Sequence, residues 1–364
     1  MEKISPQLLI ALYTDPQSAL SLTSSQWQSV ILVLRHHSLL ARFRIVFEQC
    51  QILQLLPDYV QHHLSNSMKL AEKQRQQIFY EASKLKNSIL LDDIPVVYLK
   101  GAAYTLSKLT AGNGRIYSDI DILVDKHNIA SMTQKLFVSG WMGKDISPYD
   151  QKYYDNWMHE IPPLYHSSRG TNLDIHHNLV PIVSGRSPDI SVFTKDVQTT
   201  DEGHDYLSPP ALLLHSIAHL FFNEDYDNAF RDLIDMDLII REKGDDEFWQ
   251  RLLELAQQAG FLFEVKLALR YLTRIFATPL PIEVVQKLQL KNSWRLRLLD
   301  FTYSRALLPN HPLVECDFQG MANLTAFLLG HSRKMPVHVL AYHSAHKLYQ
   351  HLTKLLLGLD PNKQ

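Results

Sequence analysis

Two aspartates one residue apart, in Ser118-Asp119-Ile120-Asp121-Ile122-Leu123-Val124, are the sharpest chemical feature of this 364-residue chain. In an extended strand side chains alternate, so Asp119 and Asp121 share one face while Ile120, Ile122 and Val124 share the other. Carboxylates this close raise each other's pKa unless a cation lies between them. Mg²⁺ is the usual solution because it takes hard oxygen ligands, and Mn²⁺ can substitute for it. The plainer alternative is a solvated edge strand with incidental acids, but the continuous aliphatic face favours a metal site. A third carboxylate follows much later, in Asn172-Leu173-Asp174-Ile175-His176-His177. If its strand neighbours the first, Asp119, Asp121 and Asp174 converge, which is enough to hold two metals against a phosphate chain and to polarise an attacking hydroxyl. His176 lies on the same face as Asp174, close enough to touch substrate or orient that carboxylate. Upstream, Leu99-Lys100-Gly101-Ala102 predicts a flexible turn and a helix N-terminus, whose N–H groups and dipole favour phosphate.

These residues need elements to position them. Ile94 to Leu99 reads as a short buried strand ending at Lys100-Gly101, with a helix from Ala102 to Leu109 and a breaker cluster, Ala111-Gly112-Asn113-Gly114. Tyr117 to Val124 reads as the second strand, and Asn128 to Val138 as a helix. His159 to His166 and Thr171 to His177 read as an antiparallel hairpin about Ser167-Ser168-Arg169-Gly170. Residues 1–91 read as a helical layer: Trp27, Val30, Ile31 and Leu34 form the stripe of a helix over Gln26 to Arg35 behind a Ser24-Ser25 cap. From Ser208-Pro209-Pro210 onward the pattern is helical again, with Pro210 in the first turn of a Ser208-capped helix. Further helices are expected over Phe230 to Glu242, Asp246 to Gln258, Phe261 to Phe276, Ile282 to Leu288 and Pro336 to Leu357. The expected fold is α+β, a small mixed β-sheet core over 92–206 flanked by helical regions at 1–91 and 207–364.

Composition narrows the classes. With 36 Lys+Arg against 38 Asp+Glu the net charge is −2, unlike the strongly basic domains that coat nucleic acid. No apolar run reaches the roughly 20 residues of a membrane span, and the first residues lack the features of a secretory signal. Two distant cysteines, Cys50 and Cys316, suggest a reducing compartment without disulfides or a cysteine zinc site. A cytoplasmic location is therefore expected.

Strand, glycine turn, helix, a strand with an Asp-x-Asp pair and a later single Asp: this order resembles the nucleotidyltransferase superfamily that includes DNA polymerase beta. More narrowly it resembles the uncharacterised bacterial nucleotidyltransferase family, on Leu99-Lys100-Gly101, Arg115, Ser118 to Val124 and Asp174-Ile175-His176. A weaker likeness extends to Trp27, Arg35-His36-His37, Leu207-Ser208-Pro209, His215, His219 and Arg231-Asp232-Leu233. The resemblance implies Mg²⁺-dependent transfer of a nucleoside monophosphate from a nucleoside triphosphate to an acceptor, with pyrophosphate leaving. Asp119 and Asp121 would hold the metals, and Asp174 would complete the metal site and help deprotonate the acceptor hydroxyl. Gly101 and Ala102 would approach the phosphates, Lys100 and Arg115 would neutralise their charge, and Ser118 and His176 would touch the nucleotide. The superfamily turn is usually Gly-Gly or Gly-Ser, so Gly101-Ala102 is a departure that removes a hydroxyl from the phosphate site.

Other readings compete. A catalytically silent nucleotide-binding or regulatory module with the same fold is the main alternative. His215 and His219 have the spacing of a metal-binding helix, but without a Glu beside His215 a hydrogen-bonded pair at the edge of the core is favoured. His204-Asp205 reads as a loop. Asp232, Asp235 and Asp237 beside Arg231 divide evenly between a solvated helix end and a cleft wall. Arg333, Lys334, Lys347 and Lys354 with Val337, Leu340, Leu348, Leu352 and Leu356 read as one amphipathic, packed final helix. The acceptor stays open among a protein side chain, a tRNA end, a sugar phosphate and a small molecule.

Overall fold

The computed structural model describes residues 1–86 and 94–357, without the side chains at 347, 350–352 and 354–357. The expected boundary at residues 91 and 92 lies outside the described residues. Four helices open the chain: α1 (Pro6–Thr14), α2 (Ser24–His36), α3 (Leu40–Gln49) and α4 (Asp58–Lys86). The α2 cap is one residue earlier than expected. Thr23 accepts from the Gln26 N–H while the Gln26 side chain accepts from the Thr23 N–H, and Trp27, Val30, Ile31 and Leu34 are buried as their spacing predicts.

The middle of the chain runs β1 (Val97–Tyr98), α5 (Lys100–Leu106), β2 (Ile120–Leu123), α6 (Ile129–Val138), β3 (Trp141–Gly143), α7 (Pro148–Trp157), β4 (Leu164–His166), β5 (Asn172–His176), α8 (Ser191–Thr194), β6 (Val197–Thr199) and β7 (Asp205–Leu207). The strands form one seven-stranded mixed sheet in the order β3-β4-β5-β2-β1-β7-β6. Strand β2 is antiparallel to β1 and parallel to β5, with Asp121 opposite Asp174. The expected hairpin forms between β4 and β5. His204-Asp205 was expected to be a loop; instead Asp205 starts β7, which pairs in parallel with β1. Two other expectations shift. The second strand is confined to Ile120–Leu123, so Asp119 precedes it, and α5 begins at Lys100 rather than Ala102.

Helices close the chain: α9 (Pro209–Phe222), α10 (Ala229–Lys243), α11 (Asp246–Gln258), α12 (Leu262–Phe276), α13 (Ile282–Lys287), α14 (Trp294–Ala306), α15 (Gln319–Lys334) and α16 (Val337–Leu357). Ser208 caps α9 through the Ala211 N–H, with Pro209 and Pro210 in the first turn. Almost every α9 side chain is buried, because the helix packs against α10, α11, α12 and α15 and reaches the sheet side through α5. Arg333 and Lys334 end α15 rather than joining the final helix. Both turn inward, Arg333 donating to the Phe221 carbonyl and the Tyr303 hydroxyl, and Lys334 to Glu224. Lys347 and Lys354 fall where side chains are not described. One continuous apolar core runs from Ile4 to Ala326 through all of these layers. Among the described residues, no helix is long and apolar enough to cross a membrane.

Candidate functional site

The register of β2 and β5 brings the aspartates together. Asp121 and Asp174 are cross-strand partners, so their side chains leave the sheet on the same face, and Asp119 joins them from the residue before β2. All three line one cleft of about 340 Å³, with Lys100, Gly101, Arg115, Ser118 and His176 in its wall. That volume is at the small end of the roughly 300–1,000 Å³ of small-molecule sites. Every expected site residue except Ala102 therefore meets at one place. Asn172 donates to the Ser118 carbonyl at 3.1 Å and fixes the entry to β2.

The turn after β1 works differently from expectation. The Leu99 N–H still bonds to the Asp121 carbonyl at 3.0 Å, and then Lys100 adopts φ +44°. A positive φ is uncommon for a residue with a Cβ. It turns the chain away from the end of β1, and Lys100 donates from Nζ to Oδ1 of Asp121 at 2.8 Å. Gly101 is not the left-handed residue. It is needed for close approach: a Cβ there would lie 2.6 Å from Nε of Arg115 and 3.0 Å from the Tyr117 ring. Ala102, expected beside the phosphates, is set apart from the other expected site residues. With α5 starting at Lys100, its side chain joins the apolar core at 1% exposure and does not line the cleft.

Arg115 is held from α10. Its Nη1 bonds to Oδ2 of Asp235, its Nη2 lies 3.9 Å from Asp232, and its guanidinium stands 5.7 Å from the Tyr104 ring centroid. Asp235 is also the partner of buried Arg42, at 2.8 Å, and Arg42 further donates to the Thr110 and Ala111 carbonyls. The α10 acids thus split. Asp232 and Asp235 are cleft wall, whereas Asp237 is bound in the core by Thr278, Tyr13 and Arg241.

The histidines are closer to the chemistry than their sequence context indicates. Nε2 of His176 donates to Oδ1 of Asp121 at 2.9 Å. His159, Glu160 and His219 also line the cleft, although the sequence reading gave none of them a role there. The expected hydrogen-bonded pair of His215 and His219 is not formed. Their ring centroids are 6.4 Å apart, and among the described residues Nδ1 of His215 has no hydrogen-bond partner.

The charges explain what this arrangement can bind. Burial raises the Asp121 pKa, but Lys100 and His176 outweigh it and hold the carboxyl well below its usual range. Burial lowers the Lys100 ammonium, and Asp121 outweighs that as well, leaving its pKa raised. For Asp119 and Asp174 the balance goes the other way, burial and the neighbouring acids outweighing Lys100 and Ser118 at Asp119 and His176 at Asp174. Burial and then Asp121 raise Asp119, while burial, Asp121, Asp119 and Glu160 push Asp174 up to about 7. Three carboxylates with one ammonium among them form a donor set of hard oxygens lacking positive charge. It fits a dication of the Mg²⁺ class.

No curated protein and no solved structure matches the chain. Residues 23–277 match the family described as uncharacterised nucleotidyltransferase, a span that begins before α2 and ends after α12 and contains every residue of the cleft except Lys334. With most of its length matched, this chain belongs to the uncharacterised nucleotidyltransferase family, a family of transferases acting on a nucleotide substrate.

Proposed function

We propose that the protein transfers a nucleoside monophosphate from a nucleoside triphosphate to a hydroxyl-bearing acceptor in a Mg²⁺-dependent reaction that releases pyrophosphate. The observation that carries this reading is the convergence of Asp119, Asp121 and Asp174 in one cleft beside Lys100, Gly101 and Arg115. Family membership agrees with it. The three aspartates would hold Mg²⁺, with Mn²⁺ as its substitute. When bound, such ions neutralise phosphate charge and act as Lewis acids.

The chain's own residues have separable tasks. Gly101 lets the Arg115 guanidinium lie close against the turn, and the Lys100 ammonium and the Arg115 guanidinium face the β- and γ-phosphates. Ser118 and His176 contact the nucleotide from the wall. The Asp174 carboxylate takes the proton of the acceptor hydroxyl. That oxygen then forms a bond to the α-phosphorus as the bond to the bridging α–β oxygen breaks, and pyrophosphate departs with the electron pair. A protein side chain, a tRNA end, a sugar phosphate or a small molecule could supply the hydroxyl.

Calorimetric titration with a non-hydrolysable triphosphate tests the first half of this reading. Binding is expected with Mg²⁺ or Mn²⁺ and is expected to be lost without a dication or in the Asp119→Asn, Asp121→Asn double variant. Failure of all four common triphosphates to bind in the presence of Mg²⁺ or Mn²⁺ contradicts it.

A further inference from the structure

Beside the aspartates lies a second donor set of different chemistry. Residues 159–161 are tied to β5 and the turn after it by backbone bonds. The Ile161 N–H donates to the Ile175 carbonyl at 3.0 Å, the His177 N–H to the His159 carbonyl at 2.8 Å, and Glu160 forms an isolated bridge with His176. This pairing fixes three side chains against one another. A ring nitrogen of His159, a carboxylate oxygen of Glu160 and a ring nitrogen of His176 all lie within 4.8 Å of one another.

We propose that His159, Glu160 and His176 form a cation site for a borderline dication of the Zn²⁺ class, separate from the aspartate site and sharing its cleft. Four observations support it. First, both imidazoles are buried, and Nδ1 of each has no hydrogen-bond partner among the described residues. A buried ring nitrogen without a partner is costly, and a metal ion is one way to satisfy it. Second, the spacing suits tetrahedral coordination. Ligand atoms about 2.0–2.1 Å from one ion stand roughly 3.4 Å apart, and Nδ1 of His176 is 3.4 Å from Oε2 of Glu160. The His159 and His176 ring centroids are 5.3 Å apart, close to the roughly 5 Å expected for two imidazoles on one such ion. Third, the backbone pairing of residues 159–161 with Ile175 and His177 holds the three ligands in place before any ion arrives. Fourth, Nε2 of His176 already donates to Asp121. A ligating histidine commonly carries such a carboxylate on its other nitrogen, which fixes its tautomer and raises its basicity.

Two imidazoles and one carboxylate select against Mg²⁺, which prefers all-oxygen surroundings, and favour Zn²⁺ or Co²⁺. All three ligands line the cleft, so a fourth position on the ion opens toward water or a phosphate oxygen of a bound ligand. Through His176 the ion would also anchor Asp121, coupling the two sites without sharing a ligand. This proposal does not depend on nucleotidyl transfer, and the test separates the two.

Co²⁺ titration of the full chain, followed by visible absorption, reads the site directly because tetrahedral Co²⁺ has characteristic bands. One equivalent is expected to give those bands, Zn²⁺ to bleach them and millimolar Mg²⁺ to leave them. His159→Gln and Glu160→Gln are expected to weaken Co²⁺ binding at least tenfold, whereas Asp174→Asn leaves it within twofold. Glu160 is partly exposed, so Glu160→Gln gives a readout even if His159→Gln lowers the melting temperature of the metal-free protein. Bands that survive in both variants, that Mg²⁺ removes, or that vanish only in Asp119→Asn or Asp174→Asn overturn the proposal.

Discussion

Asp121 and Asp174 stand opposite each other on neighbouring parallel strands, and their environments are opposed: Lys100 pairs with Asp121 and His176 donates to it, while Asp174 is left facing acids. Binding of a dication at the aspartates must therefore displace a proton from Asp174 below about pH 7. Mg²⁺ affinity is expected to fall about tenfold per pH unit below that point. The metal-free protein shows the complementary trend. Asp174 keeps a proton in the folded state that the unfolded chain has already released, so its own contribution to stability is fully present below the ordinary aspartate pKa. It declines as pH rises toward 7. Asp174→Asn should flatten both trends. Metal titrations and thermal melts from pH 5 to 8 measure them, and a Mg²⁺ affinity independent of pH in the unaltered protein would count against the assignment.

Gly101 is small because Arg115 and Tyr117 occupy the space a Cβ needs. Gly101→Ala is expected to displace the Arg115 guanidinium and to raise the dissociation constant for triphosphate about tenfold or more. The stability cost should be about 1–3 kcal/mol, as for other overpacked sites. Urea denaturation and nucleotide titration separate the two effects. Unchanged nucleotide affinity would remove Arg115 from the phosphate site.

Asp235 links the N-terminal helical layer to the cleft, since one oxygen takes Arg42 of α3 and the other takes Arg115. Both Arg42 and Asp235 are buried. Arg42→Met should cost roughly 3 kcal/mol, because it strands two carbonyls and half of a buried carboxylate. It should weaken nucleotide binding as well, by loosening the hold on Arg115. A loss below about 1 kcal/mol in chemical denaturation would show that Arg115 alone satisfies Asp235.

Much of the site was legible in the sequence because it depends on period-two alternation and on order along the chain. Asp119-Ile120-Asp121 places both acids on one face of an extended segment, and Asp174-Ile175-His176 repeats the arrangement on the partner strand. What sequence could not supply was register across distant segments. His159 and Glu160 carry no motif, and only their pairing with Ile175 and His177 brings them beside His176. Asp235 reads like any helical acid until Arg42 and Arg115 arrive from other layers. Lys334 sits in a stretch that reads as one long amphipathic helix, yet α15 ends there and turns it into the cleft. The strands β3, β6 and β7 are three residues each, too short for a periodic signal. The position of Ala102 has a related cause: α5 starts two residues earlier than the sequence indicates, and that side chain is buried in the core.

Nucleotidyl transfer by the three aspartates is read out by pyrophosphate release coupled to label transfer. The protein would be incubated with each α-³²P-labelled nucleoside triphosphate, Mg²⁺ and panels of hydroxyl-bearing acceptors, beside Asp119→Asn, Asp121→Asn and Asp174→Asn variants. Stoichiometric pyrophosphate and labelled acceptor are expected for at least one pair, reduced at least a thousandfold in each variant. Tight Mg²⁺-dependent nucleotide binding with no transfer to any acceptor, or transfer that survives loss of the aspartates, would contradict it.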